Sequence, residues 1–172
     1  MSCTRHIRAV KCLNLQQKMV SMKKVIFGLF LIMMAGCSNA QILKPVLWNY
    51  SATKTGDKTY ELHITAIIQP GWHLYSQHQP DDAIINPTTI VFNKNPLVIL
   101  DGKSKEIGKM ELYRDKKLGI SANQYAGKLD IVQKIKLKSN VKTNVVGSVE
   151  FQTCDDKKCL PPATVNFSIP IK

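Results

Sequence analysis

From Gln41 to the end of the chain only two thiols occur, Cys154 and Cys159, and the four residues between them are Asp155, Asp156, Lys157 and Lys158. A thiol pair at that spacing has two uses. It can close permanently as a staple, or it can cycle between dithiol and disulfide. In cycling, a thiolate attacks a partner disulfide, a mixed disulfide forms, and the neighbouring thiol resolves it. Both uses need the sulfurs within bonding reach. The polar tetrapeptide lies between the apolar alternations Val145, Val149, Phe151 and Val165, Phe167, Ile169, a pattern that reads as a hairpin turn joining two strand ends. Neighbouring strand ends meet the Cα separation of about 4.4–6.8 Å that a bridge requires. Closing so short a loop contributes about 2 kcal/mol on the chain-entropy estimate, so spacing alone leaves staple and exchange equally open. Local charge does not decide the matter, since Lys157 and Lys158 favour a thiolate and Asp155 and Asp156 oppose it. Zinc is disfavoured because a tetrahedral site wants four ligands. No His or third Cys is near the pair in sequence, and His63, His73 and His78 are not at ligand spacing. No metal and no cofactor is expected.

The residues that would have to position this pair begin after an N-terminal targeting segment, residues 1–40. Met22-Lys23-Lys24 followed by the ten apolar residues Val25–Met34 has the form of a bacterial export signal, too short for the roughly 20 residues of a spanning helix. Met22 is a plausible true start, which would leave Cys3 and Cys12 outside the protein. Two cleavage readings stand side by side. Met34-Ala35-Gly36-Cys37 resembles a lipobox and makes Cys37 a candidate lipidation site, whereas Ser38-Asn39-Ala40 before Gln41 suits ordinary signal peptidase. Either route delivers the remainder to a compartment where disulfides persist, with a lipid anchor the sole expected membrane contact. The net charge of +12 is divided by this reading: six of the 24 basic residues precede the apolar run, leaving 18 against 12 acidic ones. Lys134, Lys136 and Lys138 recur at period two without interleaved aromatics, the solvent face of a strand rather than a base-stacking surface. Nucleic acid is therefore not an expected partner.

Residues 41–172 read as one all-β domain. Tyr60, Leu62, Ile64, Ala66 and Ile68 alternate with Glu61, His63, Thr65 and Ile67, and Leu129, Ile131, Ile135 and Leu137 repeat the pattern, as half-buried strands do. Further strands are expected at 46–53, 72–76, 88–93, 96–100, 120–125, 143–153 and 164–169. Trp72 and Tyr75 read as core or sheet-edge residues. No segment carries an apolar helical stripe over three turns. Seven to nine short strands without helices point to an immunoglobulin-like antiparallel β-sandwich.

Three segments together, Gly71-Trp72-His73-Leu74-Tyr75-Ser76, Gly108 through Tyr113 to Asp115, and Cys154 through Cys159 to Leu160-Pro161-Pro162, resemble the N-terminal periplasmic domain of the thiol:disulfide interchange protein DsbD. The resemblance implies a protein-disulfide reductase type of electron transfer, in which the domain carries reducing equivalents from a membrane electron donor to thioredoxin-like periplasmic oxidoreductases. It makes Cys159 the partner-facing sulfur and Cys154 the resolving one. Pro161 and Pro162, which fix φ and remove backbone donors, would leave an edge suited to docking. The chain departs from the family pattern in having four rather than five residues between the cysteines. It also has Ser104-Lys105-Glu106-Ile107 where relatives can carry an acidic pair and a phenylalanine on a loop capping the disulfide. Ile107 is then the candidate cap and Tyr113 a candidate pocket-lining aromatic. Since the sequence stops at Lys172, the electron donor is expected in trans. The rival reading is a non-catalytic immunoglobulin-like binding module whose bridge is only a staple.

Mass spectrometry of the mature N-terminus is expected to find lipidated Cys37 or an unmodified chain beginning at Gln41. Intact Met1 or Met22 would contradict export.

Overall fold

The computed structural model describes residues 43–116 and 119–171; the targeting segment and Cys37 lie outside the described residues. Nine antiparallel strands form within them, and no helix does: β1 Val46–Gly56, β2 Thr59–Ile68, β3 His73–Tyr75, β4 Thr89–Phe92, β5 Val98–Asp115, β6 Ile120–Leu137, β7 Thr143–Phe151, β8 Thr153–Cys154 and β9 Ala163–Ile171. They make a six-stranded sheet, β1-β2-β6-β3-β8 with β5 on the other side of β6, and a three-stranded sheet, β4-β7-β9.

Period-two alternation places the core. Leu62, Ile64 and Ala66 of β2 and Leu129, Ile131 and Ile135 of β6 are fully buried, facing Val149, Phe167 and Ile169 of the second sheet. Aromatic contacts join the layers, with Trp48 edge-on to Phe151 at 5.2 Å and Tyr50 against Phe167, which also meets Phe92 within its own sheet. The opposite faces are wet: Lys134 and Lys136 point to solvent, and Lys134 reaches Glu61 at 3.6 Å.

Sequence periodicity underestimates the length of two strands. The segments expected at 120–125 and around 129–137 are one strand, β6, which changes partner midway. Its C-terminal part pairs with β2 and its N-terminal part with β3, and Gly127 at φ 70° lies between the two registers. β2 and β3 thus lie end to end along one side of β6. The turn between them, Gln69-Pro70-Gly71-Trp72, closes with the Trp72 amide donating to the Gln69 carbonyl at 3.1 Å. Its Pro and its Gly at φ 79° occupy the positions that a type II turn assigns them. The second such strand is β5, expected to end at Leu100 but continuing to Asp115 opposite β6. Register shifts after Asp101 and after Gly108 break its alternation. At the first, buried Gln133 donates from Nε2 to the carbonyls of Gly102 and Lys134, which satisfies the irregular backbone.

One segment splits rather than merges. The run 143–153 divides at Gln152: β7 belongs to the three-stranded sheet and β8 to the six-stranded one, so the chain crosses from one layer to the other there.

Close packing of the layers generates a prediction. A Cβ at Gly147 would collide with the Val91 carbonyl and lie 2.5 Å from Phe167 Cζ, and both obstacles are held, one by the β4–β7 ladder and one by the core. Gly147→Ala is expected to lower stability by about 1–3 kcal/mol, the usual cost of overpacking, read as a lower urea midpoint. An unchanged midpoint would mean that the sheets part easily here.

Candidate functional site

Cys154 ends β8, and the chain returns after Asp155-Asp156-Lys157-Lys158 to set Cys159 directly opposite it in an antiparallel bridge. The Asp155 amide donates to the Lys158 carbonyl and the Leu160 amide to the Thr153 carbonyl, both at 2.9 Å, so the cysteines form the non-hydrogen-bonded pair between two ladder bonds. Residues so placed have the closest Cα atoms and side chains in an antiparallel ladder. Here the Cα atoms are 4.0 Å apart and the sulfurs are bonded. The turn is held by Asp155, whose Oδ1 accepts from the amides of Lys157 at 2.8 Å and Lys158 at 2.7 Å. Those two bonds, in that order, hold its carboxyl below the usual carboxylate range. Its charge is therefore committed to the backbone.

The two sulfurs differ sharply in environment. Cys154 is 5% exposed and packs with Tyr75, Ala122 and Ile85 in a small apolar cluster, whereas Cys159 is exposed. Both line a cavity of about 560 Å³ on the face of the six-stranded sheet turned away from the main core. Strand alternation builds its floor: Leu74 points into the core, so His73 and Tyr75 point the other way, and the registers Tyr75–Gln124, His73–Cys154 and Tyr113–Ala122 put those side chains on one face. Burial raises the Tyr75 phenol, and the neighbouring Tyr113 adds to the shift.

A loop covers the buried half of the site. Its neck is closed by Thr88, whose amide donates to the Ser76 carbonyl and whose hydroxyl donates to the Tyr75 carbonyl. Between these ends, residues 77–87 fold back across β6. Gln79 exchanges hydrogen bonds with Asn123 backbone groups, Asn123 Nδ2 donates to the His78 carbonyl, and Ser121 donates to Asp82 at 2.6 Å. Gln152 ties the loop to the hairpin, accepting from the Asn86 amide and donating to the Leu160 carbonyl. Ile84 and Ile85 thereby reach the cavity wall.

The residues singled out from sequence fall in different places. Cys154, Cys159 and Tyr113 share the cavity. Ile107 does not line it. The segment 104–107 is strand, not loop, with Ile107 opposite Asp130 on β6 and 58% exposed. Glu106 of that segment instead braces the loop's neck, accepting from the Ser76 hydroxyl, the Gln77 amide at 2.7 Å and the Tyr125 hydroxyl at 3.0 Å. Burial and then the Glu106 charge push Tyr125 up to about 12. Pro161 and Pro162 are exposed, lie between Leu160 and β9, and do not line the cavity. Sequence reasoning missed Ile84, Ile85 and Gln152, which carry no periodic signal. It also set His73 aside as remote from the cysteines, although strand pairing makes it the direct neighbour of Cys154. Tyr75 is core-like in burial yet faces the site.

Comparison with known proteins gives a family and a fold. The family model described as "Thiol:disulfide interchange protein DsbD, N-terminal" matches residues 39–170. The crystal structure of the DsbD N-terminal domain of Neisseria meningitidis in the reduced form is similar at 15% identity and a TM-score of 0.51, covering 77% of this chain and 93% of that one; the likeness is one of fold, an immunoglobulin-like sandwich. The N-terminal periplasmic domain of ScsB from Proteus mirabilis is also similar, at 15% identity and a TM-score of 0.46, over 73% of this chain and 44% of that one. No curated protein matches.

The Asp155 turn is testable by pH. A carboxyl lowered in the folded state stabilises it above the unfolded value, 3.8, and that contribution is lost as pH falls through the folded value. Amide exchange at Lys157 and Lys158, followed by NMR, is expected to be slow near neutral pH, to lose protection as the solution is acidified below that value, and to be fast throughout in Asp155→Ala. Equal protection in the variant would remove Asp155 from the turn's support.

Proposed function

Because the chain belongs to the family of the N-terminal domain of the thiol:disulfide interchange protein DsbD, we propose that it is a thiol–disulfide exchange module acting in the periplasm. It passes two electrons through Cys154 and Cys159, to or from thioredoxin-like partners, and draws on a membrane electron donor. It needs no cofactor. Cys37 is its candidate lipid-attachment site, with cleavage before Gln41 as the other reading.

The observation that carries this reading is the unequal burial of two bonded sulfurs in one hairpin. A staple has no use for asymmetry, whereas exchange divides its labour. Nucleophilic attack needs an approach along the S–S axis to one sulfur, and the exposed Cys159 offers it. Cys154, under the 77–87 loop, is shielded from a partner protein but lies against Cys159, where it can resolve the mixed disulfide. The family resemblance and the burial thus both support this division of roles. In the turn, Lys157 and Lys158 directly precede the exposed sulfur, where their charge favours a thiolate, and Asp155 accepts from their amides.

In Cys154→Ser, mixed disulfides with a thioredoxin-like protein are expected to accumulate through Cys159, because the resolving thiol is gone. Cys159→Ser is expected to capture little. A structural staple predicts instead that both variants lose about 2 kcal/mol of stability and capture nothing, with a reduction potential below about −300 mV; that result would replace exchange by the binding-module reading. Equal capture by both variants would keep exchange and reverse the roles.

A further inference from the structure

We propose that His73 carries the proton of Cys154 during exchange, acting as base when the resolving thiolate forms and as acid toward the departing partner sulfur. The proposal rests on the exchange reading above and adds to it a residue outside the cysteine hairpin.

Register brings His73 to the pair. It is the Cα partner of Cys154 across the β3–β8 ladder, and directly opposed residues have Cβ atoms about 4.5–5.5 Å apart on the same face. Both line the same cavity. The ring is half-buried, and its side chain makes no hydrogen bond or ion pair with any described residue. His63 differs, because its Nδ1 is bound to Asp130 Oδ2 at 2.8 Å. An uncommitted imidazole beside a reacting sulfur is suited to the work, since imidazole is the side chain that takes and gives protons near neutral pH.

The need for it follows from burial. A thiol in apolar surroundings holds its proton more tightly than a free one, and Cys154 is packed with Ala122, Ile85 and Tyr75. When the reduced domain meets a partner disulfide, Cys159 thiolate attacks one partner sulfur, the partner S–S bond breaks, and the first partner thiolate leaves. Cys154 then gives its proton to His73 and attacks Cys159. The Cys154–Cys159 bond forms, the mixed disulfide breaks, and His73 returns the proton to the second partner sulfur. The domain is oxidised by two electrons and the partner is reduced by two.

Other ionisable groups share the cavity without sharing the position. The hairpin contributes Asp155, Asp156, Lys157 and Lys158, β5 contributes Tyr113 and Asp115, and β3 itself contributes Tyr75. Asp155 is bound to its own turn, Asp115 lies at the end of the β5–β6 ladder opposite Ile120, and Tyr75 is raised by burial. None of them is in strand register with Cys154.

The reaction of the reduced protein with dithiobis(nitrobenzoate) separates the two steps. Attack by Cys159 releases one nitrothiobenzoate, and resolution by Cys154 releases the second. In His73→Gln the first release is expected to be unchanged and the second slowed by at least about tenfold near neutral pH, the lower range for loss of a general base being about a hundredfold. Its rate should then climb toward the titration of an unassisted thiol, about 8.5 for a free one, and added imidazole should restore it. His73→Asn, checked for native circular dichroism, repeats the measurement if the first variant fails to fold. A second release with unaltered rate and pH profile in a folded variant would overturn the proposal while leaving exchange intact. Absence of a second release from the unsubstituted protein would instead overturn exchange, and this proposal with it.

Discussion

The site depends on the crossing of the chain between layers at Gln152. Up to Phe151 the strand is a central member of the three-stranded sheet, fixed by β4 on one side and β9 on the other. Two residues later Thr153 is buried in the six-stranded sheet against Leu74. A chain that changes sheets must then turn back to reach β9, and the hairpin carrying the cysteines is that return. The disulfide therefore sits at the end of the sandwich, where backbone geometry is set by two ladders at once. Gln152 is not left unpaired by the crossing, because its amide bridges the Asn86 backbone and the Leu160 carbonyl. One side chain thus joins the crossing, the covering loop and the strand that leaves Cys159.

Burial of polar groups follows from the same arrangement. Ser76 and Thr88 are almost wholly buried, which is costly for hydroxyls unless they are paired. Each is paired: Ser76 with Glu106, and Thr88 with the Tyr75 carbonyl. These bonds pin the two ends of the 77–87 loop, so its covering of Cys154 does not rest on Ile85 packing alone. Glu106 joins β5, the end of β3 and Tyr125. The close approach of the Tyr125 ring requires the missing side chain at Gly108, where a Cβ would lie 3.2 Å from it.

Most of the sandwich was legible in the sequence because its strands are wet on one face. β2 alternates cleanly, and the C-terminal part of β6 does so apart from Val132 and Gln133, which are buried as well; the structure buries the residues that the alternation selects. β5 was not legible past Leu100. It is an edge strand whose register shifts twice, so side chains at Ile107, Met110 and Leu112 are exposed without a period. Taking 104–107 as a loop misplaced the cap, which comes from Ile84 and Ile85 in a segment rich in Gln, Asp and Pro. The thiol pair was legible because nothing competed with it. His73 was not, since its proximity to Cys154 exists only through strand pairing across some eighty residues of chain, a relation that spacing in sequence cannot express.

Burial of one sulfur would be a handicap if both had to meet external reagents, and the hairpin removes that requirement. A resolving thiol attacks only a sulfur that is already its ladder neighbour, and groups held together in this way react as though at effective concentrations of about 10⁵ M or more. On the proposed division of roles, Cys154 can therefore lose almost all access to solvent and still resolve the mixed disulfide, and the loss suppresses attack on it by other disulfides. The remaining cost is protonic rather than geometric. Apolar surroundings that shield a thiol also favour its protonated form, and the shield cannot be relaxed without exposing the sulfur. A proton acceptor on the neighbouring strand resolves this conflict, because β3 pairs with Cys154 within the sheet. In this chain that position is occupied by His73.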